Sequence, residues 1–422
     1  MNFNNSAMSK MMKQVGSWMS SHLLFLLILL AVVPSILKVV HYSLVEDYAG
    51  WWPTYNYLVG YETGFGGRKL IGTLFGWMMP DYIEPCHIRM FILPANLLML
   101  MLFAWFVYRA SSLMANKLIP LLLFVAVYAV SPFSIMGFVD TKQSLGFMDA
   151  YQLVLTMVWL LLYMRRREGA FYYVATLLIV VVCLLIHHTF LCTLFPLFIS
   201  LFVYDIISDN GNWRRKLLYY ASVSGVIALL FFAMWRFSRM NVEFDVLYDR
   251  LCHKADTAVL PDKSGLWFLY YMSNGENVHS NHDLLPLRYV EFLYTVVLLF
   301  PLYMVLYYPW MSAARKAESM CARLRYRAVY LSVTLLSLPI FIVATDYTRW
   351  WLGFCFSMFA VTMVAVHIGD EGIIQRLKAM FSFARRRWWL AIVAIIYLAQ
   401  LSALDFRGLK QAIELRMWLG PQ

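Results

Sequence analysis

Apolar runs close to the length of a bilayer crossing recur along the whole chain, separated by short polar stretches. A crossing helix needs roughly 20 predominantly apolar residues. The runs predict eleven such helices, near 20–42, 88–108, 118–137, 149–163, 170–187, 189–206, 217–236, 288–308, 327–345, 350–367 and 388–404. The run from Phe171 to Asp205 spans 35 residues, too many for one crossing at about 1.5 Å per residue. It predicts two short helices broken at His187-His188-Thr189. Two stretches stay polar for longer, near 43–87 and 237–287. Neither reaches the roughly 100 residues of an ordinary soluble domain, so the pattern predicts one all-α domain over 1–422, a polytopic transmembrane helix bundle. The first run follows Lys10 and Lys13, extends to about Val40 and lacks a small-x-small cleavage signal. It reads as an uncleaved first helix.

Composition agrees. The chain is 62% hydrophobic and 14% charged, against about 25% charged in soluble domains. The net charge of +11 could point to nucleic acid, but in a membrane protein Lys and Arg gather in cytoplasmic loops and set orientation. With the N-terminus inside, "MRRRE", "NWRRK" and "FARRR" all fall on the cytoplasmic side, as do 20 of the 35 Lys and Arg residues. The C-terminus then lies outside, and 43–87 and 237–287 become outer loops. Nucleic acid is not an expected partner; the lipid bilayer is. The six cysteines include no CxxC pair, so neither a zinc cluster nor a redox motif is expected. Cys86 and Cys252 are the two placed outside, where a disulfide between them is conceivable. No P-loop, nucleophile elbow, dinucleotide fingerprint or HExxH is present, and no cofactor or metal site is expected.

The expected outer face gathers the candidate chemistry. "ETGFGGRKLIG" puts closely spaced glycines before Arg68 and Lys69, at the start of an apolar segment. Glycines let backbone approach a ligand closely, successive amides bind anions, and arginine's planar fork suits phosphate. Snorkelling of both cations to lipid headgroups is the plainer alternative. Asp47 and Glu62 are candidate general bases toward a hydroxyl, or simply solvated loop acids. His187 and His188 sit at the tip of a helical hairpin, where imidazoles are rare and usually functional. They would bond a substrate, orient a carboxylate or cap a helix. In "ATDYTRWWLG", Asp346 and Arg349 stand three apart; they pair with each other, or Arg349 grips phosphate while Asp346 holds it or serves as base. Asp140 and Lys142 offer a lesser copy. Arg236 and Arg239 open the second long loop, where they could meet a lipid-borne anion.

These motifs together resemble a known family. Gly64, Phe65, Arg68, Leu70, Ile71 and Gly72 match "GF..R.LIG", His187 matches a later His motif near a helix break, and Asp346, Arg349 and Trp350 match "D..RW". The chain is similar in this to Wzy-type polymerases of bacterial O-antigen or capsular polysaccharide, and more broadly to membrane glycosyltransferases with a GT-C-like body. It departs from the pattern at Gly67, where a second arginine is expected, at Lys69, where a glycine is expected, and at His188, where an acid is expected. The resemblance implies a metal-independent glycosyltransferase of the bacterial inner membrane. Its donor would be a polyprenyl-diphosphate-linked glycan, its acceptor another lipid-linked unit, its site periplasmic, and a chain-length regulator a candidate partner. Arg68 and Arg349 would hold the diphosphate with Lys69 or Lys142 assisting, while Asp47, Glu62 and Asp346 compete as base. A flippase or other transporter of lipid-linked oligosaccharide is the competing class, which mid-helix charges or internal repeats would favour. A glycan acyltransferase ranks last, because its acyl donor is cytoplasmic and these histidines face the other side.

Overall fold

A computed structural model describes residues 26, 28–44, 52–79, 81–111, 118–139, 145–165, 168–208, 211–260, 263–273, 285–343 and 347–403. Among them the fold is all-helical, and the only strand-like pairing is an isolated parallel bridge between Ile83 and Ala255. Four helices among the described residues are long and apolar enough to cross a membrane: Pro85–Ser111, Trp213–Phe237, Met320–Ile342 and Arg349–His367. Phe292–Leu298 and Phe300–Lys316 would make a fifth if the pair, bent by 74°, is one span. The bend falls where Pro301 cannot supply a backbone donor. Shorter apolar helices cover Ile28–Leu44, Pro120–Ala129, Ala170–Ile186, Phe195–Ser208 and Trp388–Leu401. The chain is therefore a membrane protein. Each of the eleven segments expected from the sequence holds helix, and among the described residues four or five helices are long and apolar enough to cross.

The centre of the bundle is the helix Tyr347–His367. A helix apolar on every side has no face to give to solvent and belongs in the interior, and 94% of this one's apolar window is buried. It packs against Pro85–Ser111, Phe195–Ser208, Phe300–Lys316 and Met320–Val343. Phe359 stacks on Tyr128 at 4.0 Å between centroids, and Trp310 donates to Thr362 Oγ1 at 2.8 Å. The expected break in the long run is present: Ala170–Ile186 ends at His187, a single turn follows over Phe190–Thr193, and Phe195–Ser208 resumes.

The described parts of the two long polar stretches are joined. The first contains the helix Leu70–Met78 and the second Phe244–Lys254 and Lys263–Ser273. Arg239 N–H donates to Phe65 O at 2.9 Å and Asn241 N–H to Thr63 O at 2.8 Å. Further on, Ile83 N–H donates to Lys254 O and Asp256 N–H to Ile83 O. Backbone groups of one stretch thus satisfy those of the other, as buried peptide groups require, and the pair forms a cap over one end of the bundle. At the opposite end two buried carboxylates lock the helices. Asp205 accepts from the hydroxyls of Tyr163 and Tyr220. Asp370 accepts from those of Tyr204 and Tyr326, pairs with Arg325, and caps Glu371–Arg386 through Ile373 N–H.

Candidate functional site

The helix Asp149–Arg165 organises the capped end. Its first residue, Asp149, is buried and receives both Arg349 Nε at 2.7 Å and Arg349 Nη2 at 2.5 Å on Oδ2. The Arg349 guanidinium also lies 4.4 Å from the centroid of the Phe147 ring, a cation–π contact. Three residues on, the Gln152 amide donates to Cys183 O at 2.8 Å and His187 O at 2.7 Å. Cys183 O also accepts from His187 N–H and His187 O from Phe190 N–H, each at 3.1 Å, so the amide adds a second donor to both carbonyls of the turn. Residues i and i+3 of a helix share a face, so one face of this helix holds both the arginine and the histidine turn.

The turn itself is tightly specified. Thr189 N–H donates to His187 Nδ1 at 3.1 Å, and Thr189 Oγ1 lies 2.6 Å from the same nitrogen. His187 is 2% exposed, and its Nε2 has no hydrogen-bond partner among the described residues. Gly353, one turn beyond Arg349, is needed here: a Cβ on it would stand 2.9 Å from Thr193 Cβ and from Thr193 O. The central helix therefore lies directly against the broken segment, and Ser357 one turn further donates to Gly353 O.

The first cap stretch closes the site from above. Gly67 abuts the second histidine, since a Cβ there would meet His188 Nδ1 at 2.8 Å and Met234 Cε at 3.1 Å. A side chain at position 67 would therefore have to displace the His188 ring. Arg68 follows with φ +69, the only positive φ outside glycine among the described residues, and is buried. Holding a non-glycine residue there costs about 1–3 kcal/mol, and such strain persists where the surroundings over-determine it, typically at functional sites. Burial first, then the charges of Arg68 and Arg349, hold His187 well below its ordinary value and hence neutral; the same causes push His188 down to about 3. Both rings lie in the turn outside the flanking helices, 5.0 Å apart between centroids.

The other expected residues divide. Lys69 does not face this site: it is 1% exposed, and its ammonium donates to Gly64 O at 2.9 Å and contacts Met240 Sδ at 3.2 Å, stapling the two cap stretches together. Glu62 is exposed and accepts from Gly60 N–H within its own turn. Arg236 and Arg239 have exposed side chains; Arg236 lies over the Phe237 ring, and Arg239 contributes its backbone to the cap pairing. Cys86 and Cys252 are free, exposed thiols. Asp47, Asp140, Lys142 and Asp346 lie outside the described residues. Arg349 pairs with Asp149, 200 residues away in the chain, which sequence reading did not single out. A signal for it exists in "DAYQLVLT": Asp149, Gln152 and Thr156 form a polar stripe with i, i+3, i+7 spacing on an otherwise apolar helix, and all three are buried.

Lys69 yields a prediction of its own. Burial lowers its pKa from 10.5 to about 8, partly opposed by Glu62. Between those values the unfolded chain retains a proton that the folded chain has released, so stability rises with pH across that window. Thermal unfolding in detergent from pH 7.5 to 10 is expected to show this rise in wild type and its loss in Lys69→Met. Parallel pH profiles for the two proteins would contradict it. No protein-family model, curated protein or solved structure matches the chain.

Proposed function

We propose that this chain is a polysaccharide polymerase of the bacterial inner membrane, lengthening a glycan carried on a polyprenyl diphosphate, as the Wzy-type resemblance implies. In this reading the chain crosses eleven times around a GT-C-like body, with its N-terminus in the cytoplasm and its C-terminus in the periplasm. The capped end is then periplasmic, where a positive-inside distribution gives no reason for buried arginines. One observation carries the reading: the His187–His188 turn lies against Gly67, the neighbour of buried Arg68, and is hydrogen-bonded by Gln152 of the helix whose Asp149 holds Arg349.

That arrangement suits a leaving diphosphate. An acceptor hydroxyl oxygen attacks the anomeric carbon, and the bond from that carbon to the diphosphate oxygen breaks. The diphosphate departs with the bonding electron pair, and a carboxylate takes the hydroxyl proton. Fixed cations aimed at the developing charge lower the barrier because they need no reorganisation during the reaction. Arg68 and Arg349 supply that charge, and Asp47, Glu62 and Asp346 remain the candidate bases.

Reconstitution tests this directly. Purified protein in liposomes with an undecaprenyl-diphosphate-linked oligosaccharide is expected to produce a ladder of lengthened lipid-linked products. Arg68→Ala is expected to slow it about a hundredfold. Transbilayer movement of the substrate without lengthening would replace this reading with the carrier one, and absence of both would refute each.

A further inference from the structure

His187 is the one ring in the site whose two nitrogens are told apart by their surroundings. A backbone N–H can only donate, so Thr189 N–H requires a lone pair on His187 Nδ1. The Thr189 hydroxyl hydrogen can turn toward the same lone pair across 2.6 Å. In a neutral imidazole the proton then sits on Nε2, which makes that nitrogen a donor and leaves the ring no free lone pair. This Nε2 is buried and finds no acceptor among the described residues. An unsatisfied buried donor is expensive and calls for a partner supplied from outside. The partner must be an oxygen acceptor, and the field of two guanidinium groups selects an anionic one.

We infer that His187 is a neutral hydrogen-bond donor, locked in its Nε2–H form by Thr189, that binds a phosphoryl oxygen of the polyprenyl diphosphate and is not a general base. This rests on the polymerase reading for the identity of the anion. Of the roles the sequence leaves open for His187, this selects bonding to a substrate, and it excludes a base, because a base needs a lone pair and both nitrogens are committed. Thr189 is thereby a positioning residue: it reaches the anion only through the histidine. Gln152 supports the arrangement from the backbone side by holding His187 O.

Two measurements test this. In 15N-histidine-labelled protein the NMR shifts of His187 should report a proton on Nε2 and a lone pair on Nδ1 across pH 6–8. The opposite tautomer, or a charged ring, overturns the inference whatever the reaction. Equilibrium binding of a fluorescent polyprenyl diphosphate to the protein in nanodiscs then separates the roles. His187→Gln, whose amide nitrogen reaches near the Nε2 position, should bind within a few-fold of wild type. His187→Asn, whose nitrogen stops near the Nδ1 position, and His187→Ala should each bind roughly ten- to a hundredfold more weakly, the loss of a hydrogen bond to a charged group. Elongation by His187→Gln should keep the wild-type pH profile, whereas a base would lose its acid limb. If wild type binds the lipid diphosphate and all three variants bind equally well, the inference fails and the polymerase reading stands. If wild type binds inorganic pyrophosphate but not the lipid form, the donor role stands and the lipid-linked substrate does not. Binding of neither refutes both.

Discussion

Alanine at Asp149 is expected to silence the protein and to destabilise it by about 3–5 kcal/mol, the range for removing one partner of a buried ion pair. Asp149 and Arg349 are 7% and 8% exposed. Two guanidinium nitrogens converge on one carboxylate oxygen, with the Phe147 ring behind them. Without the carboxylate, a guanidinium that cannot lose its proton stays in a dry site stripped of this buried counter-charge. It must swing out or draw water in, and either movement takes it off the position it holds beside the His187 turn. Elongation in liposomes is expected to fall on the order of a thousandfold. Asp149→Asn keeps the shape but not the charge and should lose nearly as much activity with a smaller loss of stability. The double variant Asp149→Ala, Arg349→Ala should be more stable than Asp149→Ala alone, because it removes the orphaned charge along with its partner. Thermal midpoints of wild type, Asp149→Ala, Arg349→Ala and the double variant in detergent close this cycle. Additive losses would show that Asp149 does not act through Arg349.

The pair also marks the boundary of what the sequence makes legible. Helix positions follow from apolar runs, and the break at His187 follows from a run too long for one helix, because both are local properties. The convergence of Arg68, Arg349 and the histidine turn is legible at the level of which end of the bundle each reaches. Asp149 is hidden because its partner is 200 residues away, while a nearer acid, Asp346, offers itself three residues from Arg349. Sequence proximity says nothing about which acid a buried arginine meets across a helix interface. The polar stripe of Asp149, Gln152 and Thr156 is the readable trace of that interface. Lys69 misleads in the opposite direction: beside Arg68 it reads as a second ligand cation, yet adjacent residues leave a turn in different directions, and its flexible stem reaches the Gly64 carbonyl instead. Hydropathy counts apolar segments, whereas the length of each helix depends on bends such as the one at Pro301, which packing decides.

Gly64→Ala is expected to have the second-largest effect, through the cap and not through any charge. Gly64 sits at φ +125 and ψ 174, a conformation essentially confined to glycine that costs other residues about 1–3 kcal/mol. A Cβ there would also overlap the Arg239 carbonyl oxygen and stand 3.1 Å from Asn241 N. Those are backbone atoms of the pairing that joins the two cap stretches, so they cannot yield as a flexible side chain would, and overpacking adds about 1–3 kcal/mol more. Relief requires the strands of this pairing to separate. That frees Gly64 O from the Lys69 ammonium, leaving a buried charge unsolvated, and lifts Gly67 from its seat on the His188 ring, carrying its neighbour Arg68 with it. Hydrogen exchange at 63–65 and 239–241 should therefore accelerate together, and elongation should fall even though no group that meets the substrate has changed. Gly76→Ala is the matched control. It lies inside the helix Leu70–Met78 with only Lys254 Nζ near the added carbon, at 4.0 Å, and an interior alanine there gains up to about 1 kcal/mol of helix propensity. Equal exchange rates in the two variants would show that the cap does not depend on the Gly64 contact, and that Arg68 is held in its left-handed conformation by the histidine turn alone.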